Sequence, residues 1–175
     1  MDNHNAQLLD SLGGFTPAQL VELLGTRWDE SDTALRFSDA LTPEDLSGSA
    51  MVQNGLLLLG AVAASEPVRL TTTGNMNRKF LHAVARETRW PNGEEESFFE
   101  YRKQPNETDL MPVHMLRILL EEAGFLKKRK GGLTLTKKGQ DVLASGAVGG
   151  LQVALFRAMC GKFNLAYCDR LPEYY

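Results

Sequence analysis

The chain has 175 residues, of which 43% are apolar and 23% charged, with a formal net charge of −3 and two cysteines, Cys160 and Cys168. This length and composition suit one domain with a real core and argue against wholesale disorder. Two cysteines are too few for a disulfide scaffold, and the longest apolar stretch, residues 56–64, is far short of a membrane span and follows no basic run, so a cytoplasmic protein with no membrane partner is expected.

The small net charge hides an asymmetry. Residues 1–50 carry nine acids against two arginines, a net of −7, so the remaining 125 residues carry +4. Between Leu126 and Gly139 six cations and no acid occur: Lys127, Lys128, Arg129, Lys130, Lys137 and Lys138. Such a focus raises the local potential whatever the sign of the whole.

In chain order, the acidic segment 1–48 holds two helix-start signals. Thr16-Pro17-Ala18-Gln19 offers a Thr cap, a Pro in the first turn and a Gln three residues after the cap, and Thr42-Pro43-Glu44-Asp45 repeats that chemistry. Between them, residues 26–40 have no clean period and read as a loop with one short strand at most. A helix is expected from about Ser49 to Ala64, apolar nearly all round after Gly55 and therefore buried. Glu66-Pro67 stops it, and Val68–Thr71 reads as a short strand. Residues 74–88 follow as an amphipathic helix with Met76, Phe80 and Val84 on one stripe and Arg78, Lys79, His82 and Arg86 opposite.

Residues 90–107 are of different material and are expected to form an inserted loop: Pro, Asn and Gly, then Glu94-Glu95-Glu96, then the aromatics Phe98, Phe99 and Tyr101. Thr108-Asp109 opens a helix with Val113, Leu116, Leu119, Leu120 and Ala123 at helical spacing, closed by Gly124. Its outward face is expected to present Asp109, His114, Arg117, Glu121 and Glu122. Leu126–Lys130 and Leu133–Thr136 read as two strands across Gly131-Gly132. A helix begins near Lys137, and another spans about Leu151–Lys162. The pattern LTxxG occurs at Leu70–Gly74 and at Leu135–Gly139, in each case where a strand hands over to a helix with Thr available as its cap.

The expected fold is mainly α with a small β-sheet, in winged-helix-like order over residues 49–146, with extra N- and C-terminal helices and a closing segment, 147–175, packed on the domain or on a partner. The run LRILLEEAGFLKKRKGGLTLTKKGQDVL, within residues 116–143, resembles the recognition-helix and wing segment of regulators of the multiple-antibiotic-resistance type through Ala123-Gly124-Phe125, the basic strand and LTxxG. Over residues 65–145, LTTTGNMNRKFL, the ETD start and GFLKKRKGGLTLTKKG resemble an uncharacterised family named after a root-inducing-plasmid open reading frame. Together these resemblances imply a winged-helix-like domain without an assigned chemistry.

The sequence holds no enzyme signature. TTTGNMN lacks the further glycines and the Lys-Ser/Thr of a phosphate loop. His4, His82 and His114 lie on separate elements, and Cys160 and Cys168 are eight apart, wider than the close Cys pairs of structural zinc sites, so neither a metal nor a cofactor is expected. No small-molecule ligand is evident. The leading expectation is a non-catalytic module for protein association or architecture, with contacts at Phe98, Phe99 and Tyr101 and with Leu151, Leu155 and Phe156 of the last helix serving a homodimer or a protein partner. The alternative is a nucleic-acid-binding regulator whose basic wing, Lys127–Lys130 with Lys137 and Lys138, joins Arg78, Lys79, His82 and Arg86 on phosphates. Lysines on a hairpin edge also serve simply to keep that edge from pairing with another molecule. An enzyme of unrecognised type is a third alternative, since a site assembled from distant residues leaves no local motif.

Overall fold

A computed structural model describes residues 7, 8, 10, 13–25, 38, 40–91, 98–100, 103–146 and 148–164. His4, Glu94-Glu95-Glu96, Tyr101, Cys168 and the stretch between residues 26 and 37 lie outside the described residues. The chain divides into two compact units, residues 1–38 and 39–175.

In the first unit the expected start signal works. The Gln19 N–H donates to Thr16 Oγ1 at 3.1 Å and the Thr16 N–H to Gln19 Oε1 at 2.9 Å, which opens helix α1, Pro17–Gly25. Phe15 and Val21 stay exposed.

In the second unit Thr42 and Asp45 bond reciprocally in the same way, but only turns follow, through Gly48. Helix α2, Ala50–Ser65, buries Val52, Leu58, Leu59 and Val62. Strand β1, Val68–Arg69, is followed by α3, Arg78–Glu87. Helix α3 starts later than its stripe suggested, because Asn77 is its cap and accepts the Phe80 N–H at 3.1 Å. Met76 thus sits ahead of the helix, buried and bridged to Leu70. A 3-10 turn at Glu107–Asp109 precedes α4, Met111–Glu122. The hairpin is β2, Leu126–Arg129, and β3, Gly132–Leu135, and the chain continues through α5, Lys137–Ser145, and α6, Val148–Gly161.

The three strands form one antiparallel sheet in the order β1-β3-β2. With the helices before, between and after them, this is the winged-helix-like arrangement. The hairpin turn lies one residue earlier than the glycine pair suggested. Lys130 and Gly131 both hold left-handed backbone, φ 49° and 73°, as a two-residue hairpin turn demands. Gly132 belongs to β3, where a Cβ would lie 2.9 Å from the Pro67 side chain.

The two LTxxG segments do different work. At the second, Thr136 caps α5 by accepting the Gly139 N–H at 3.1 Å, and a Cβ on Gly139 would meet the Phe125 carbonyl oxygen at 2.4 Å. At the first, Gly74, with φ 78°, closes a turn onto Thr71 ahead of the Asn77 cap.

The core gathers Leu58, Leu59, Leu81, Leu110, Val113, Leu119, Leu120, Phe125 and Leu133. Helices α2, α4 and α6 meet beside Gly55, where Leu116, Leu151 and Leu155 come within 4.0 Å of where a side chain would begin.

Candidate functional site

Strand alternation sorts the wing cations. Val68, Leu133 and Lys128 share one row of the sheet, and Arg69, Gly132 and Arg129 the next. Successive strand residues face opposite sides, so Lys128 shares the inner face with Val68, Leu126, Leu133 and Leu135. Arg69, Lys127, Arg129, Gly132 and Thr134 take the outer one. The outward positions therefore carry three cations and no acid. Arg69, Lys127 and Arg129 are exposed, and none has a side-chain partner among the described residues.

Lys128 is the exception that alternation imposes. Its ammonium turns inward to Glu121 at 3.5 Å and lies near the turn at Gly74. Behind it runs a chain of buried charge. Arg117 pairs with Glu121 one helical turn away and donates from Nε to Glu107 Oε1 at 2.5 Å. His114 Nδ1 donates to the same oxygen at 2.7 Å, and the Met76 N–H reaches Glu107 Oε2 at 2.5 Å. Burial pushes the Glu107 carboxyl up, but the His114 hydrogen bond, the Arg117 charge and the Met76 N–H together outweigh it and hold the group below its ordinary value.

This network overturns the expected outward face of α4. His114 and Arg117 are 4% and 3% exposed. The helix packs against α2, α6, β2 and the 3-10 turn, and Glu122 is its one exposed residue. A helix with its donors turned inward presents none to base edges.

The basic face of α3 is largely occupied as well. Arg78 donates to Asn106 Oδ1 at 3.1 Å and Gln104 Oε1 at 3.4 Å. His82 Nε2 donates to the Pro105 carbonyl at 2.9 Å and meets the Phe99 ring edge-on. The Arg86 guanidinium lies 4.5 Å over that same ring. The loop aromatic is thus seated on the cations with which it competed as a contact site. Phe98 packs, half-buried, against the core. Lys79 alone on this face lacks a partner among the described residues.

Lys138 leaves the wing set altogether. Its ammonium bonds the Ala123 carbonyl at 2.9 Å and lies 4.3 Å over the Phe125 ring, so it caps the C-terminus of α4. Lys130 and Lys137 remain exposed. Leu151 and Leu155, expected on a partner surface, are fully buried in their own unit, because α6 closes over α2 and α4; Phe156 beside them is half-buried. An apolar cleft of about 420 Å³ opens elsewhere, lined by Met51, Trp90, Met111, Pro112 and Met115 among others.

Residues 47–148 match the family model described as the Y4jL N-terminal domain. The chain belongs to that family. Over 100 residues the Y4jL N-terminal domain here is 30% identical to the uncharacterised protein y4jL of Sinorhizobium fredii (strain NBRC 101917 / NGR234), which covers 57% of this chain and 46% of the relative. The chain thus spans about half the length of the curated relative it matches. No solved structure matches it. These comparisons support the resemblance to an uncharacterised family and do not extend to the expected likeness of segment 116–143 to antibiotic-resistance regulators. The matched span begins just before α2 and includes the whole sheet and the Glu107 network, but only the first residue of α6.

Two parts of the Y4jL N-terminal domain escaped sequence reasoning. Arg69 lay in the stretch expected as a strand, Val68–Thr71, of which only Val68–Arg69 forms one, with nothing local to pair it with Arg129. Glu107 lay in the closing residues of a loop. Its one signal was Asn106 with Asp109, which form a reciprocal cap that fixes Glu107 between them.

Proposed function

We propose that the domain is a non-catalytic module that holds nucleic acid by its phosphates, through the outer face of the sheet, without reading bases. One observation carries this reading: Arg69, Lys127 and Arg129 share that face with no acid among them and no internal partner among the described residues. Cations that served only the fold would be expected to resemble Arg117 and Lys128, which are neutralised from within. Lys130 at the turn extends the patch. The burial of α4 supports the second half of the reading, since affinity from phosphate contacts carries no sequence information.

Electrophoretic retardation of generic duplex tests it. The wild type should retard duplex at low salt, with equal affinity for unrelated sequences. The logarithm of affinity should fall linearly with that of salt concentration, by about 0.9 per phosphate contact. Arg69→Glu with Lys127→Glu and Arg129→Glu should abolish retardation. A wild type that retards nothing at low salt, or that prefers one sequence strongly, ends this reading.

Protein association is the second reading, favoured by the partly exposed methionines and Trp90 around the 420 Å³ cleft. Light scattering over a wide concentration range tests its self-association form. A mass above one chain that reverts with Met115→Asp supports it, and a one-chain mass throughout removes it.

A further inference from the structure

Beyond the C-terminus of α4 lies a cleft of about 320 Å³ that no part of the sheet reading uses. Its lining includes the small side chains of Ala154 and Ala158 of α6. Around it stand Lys138 from α5, Arg157 from α6, Lys162 just past the end of α6 and, among the described residues, one acid, Glu122.

The lysines already do one job each. Lys138 donates to the Ala123 carbonyl at 2.9 Å and Lys162 to the Glu122 carbonyl at 3.5 Å, which serves the negative end of α4. That job does not use up the charge. A helix terminus is worth about half a negative charge, so with Glu122 it offsets roughly half of three cations. An ammonium carries three donors, of which each lysine has committed one, and Arg157 has no partner for any of its five among the described residues. Burial, and after it the ammonium of Lys162, lowers Lys138 from its ordinary value. The surplus is about one to two positive charges, converging on a space the size of a small ligand site.

We infer that this cleft binds a phosphate-bearing anion, held by the Arg157 guanidinium and the remaining donors of Lys138 and Lys162. A planar guanidinium beside point-charge ammoniums is the pairing that suits phosphate oxygens. The inference does not depend on the sheet face, which carries different residues.

Calorimetric titration of the full chain with inorganic phosphate, at low ionic strength and neutral pH, should give one saturable site per chain. Arg157→Gln and Lys162→Gln should each weaken it at least tenfold with unchanged circular dichroism, since both side chains are exposed. Lys127→Gln should leave it as it was. Competition then identifies the source of the group. Displacement by glycerol phosphate points to a free phosphomonoester. Displacement by a 5′-phosphorylated oligonucleotide, but not by its 5′-hydroxyl counterpart, points to a nucleic-acid end. The inference is overturned if no saturable uptake occurs, if Arg157→Gln binds as the wild type does, if Lys127→Gln alone abolishes binding, or if both oligonucleotides compete equally. Duplex retardation by Arg157→Gln should persist, so failure of the cleft and failure of the sheet reading are separate results.

Discussion

Glu107 Oε1 accepts the Nε–H of Arg117 at 2.5 Å, with both side chains withdrawn from solvent. The contact fixes α4 to the turn that precedes it and, through the Met76 N–H, to the segment between β1 and α3. Glu107→Gln keeps the shape but removes the charge that faces both Arg117 and His114. Breaking one side of a buried pair typically costs about 3–5 kcal/mol. Retention of Glu121 as a partner for Arg117 places the expected loss near the low end, about 3 kcal/mol by urea denaturation.

The same group sets the response to acid. A carboxyl held below its ordinary value in the folded state stabilises the fold wherever it is ionised in both states. That contribution is complete at neutral pH. It shrinks once the pH drops below the ordinary carboxylate range and is gone below the lowered folded value. Thermal midpoints of the wild type should therefore fall on acidification, and those of Glu107→Gln should fall less steeply over the same interval. Parallel curves would show that Glu107 is not the group responsible.

Lys127 and Lys128 are neighbours with opposite duties. Lys128→Gln removes the outer partner of Glu121 and should lower stability by about 0.5 kcal/mol, given a half-exposed pair, while leaving the salt dependence of duplex binding nearly unchanged. Lys127→Gln should leave stability within about 0.5 kcal/mol and reduce the salt slope by about 0.9. Denaturation and retardation on the two variants separate the roles, and a swapped pattern would contradict the assignment of faces.

Gly139 answers to packing alone. Its backbone is ordinary helix, but a Cβ would meet the Phe125 carbonyl oxygen at 2.4 Å, an atom that also receives the Thr136 N–H. Gly139→Ala should destabilise by about 1–3 kcal/mol, against the usual gain of roughly 0.5–1 kcal/mol for that change inside a helix. Gly131→Ala, at φ 73° with open space around it, should lose about 1–2 kcal/mol through backbone strain alone. Thermal denaturation of both variants measures each effect.

Legibility in the sequence followed locality. The amphipathic α3, the hairpin strands, the Thr16 cap and the order of elements depend on residues a few positions apart, and periodicity reveals them. The inward turn of His114 and Arg117 depends on a carboxylate seven and ten residues upstream on another element. Helical spacing separates polar from apolar positions but cannot register such a partner. Leu151 and Leu155 illustrate the same gap, because an apolar helix reads alike whether it covers its own core or a neighbour. The hairpin turn, expected at Gly131-Gly132, falls at Lys130-Gly131, and Gly132 lies instead in β3 beside Pro67, a neighbour from a distant segment that no local pattern announces. The cleft beyond α4 draws its charged residues, Glu122, Lys138, Arg157 and Lys162, from distant stretches of the chain and has no linear trace.

The brevity of the hairpin bears on how it would meet a long partner. Its strands have four residues each and a two-residue bend, so it projects only about 13 Å at the usual rise per residue. A lobe this stubby cannot curl around a double helix or probe a neighbouring furrow. It would lie flat against one ridge of the polymer, and the tread it offers is the broad side of the sheet.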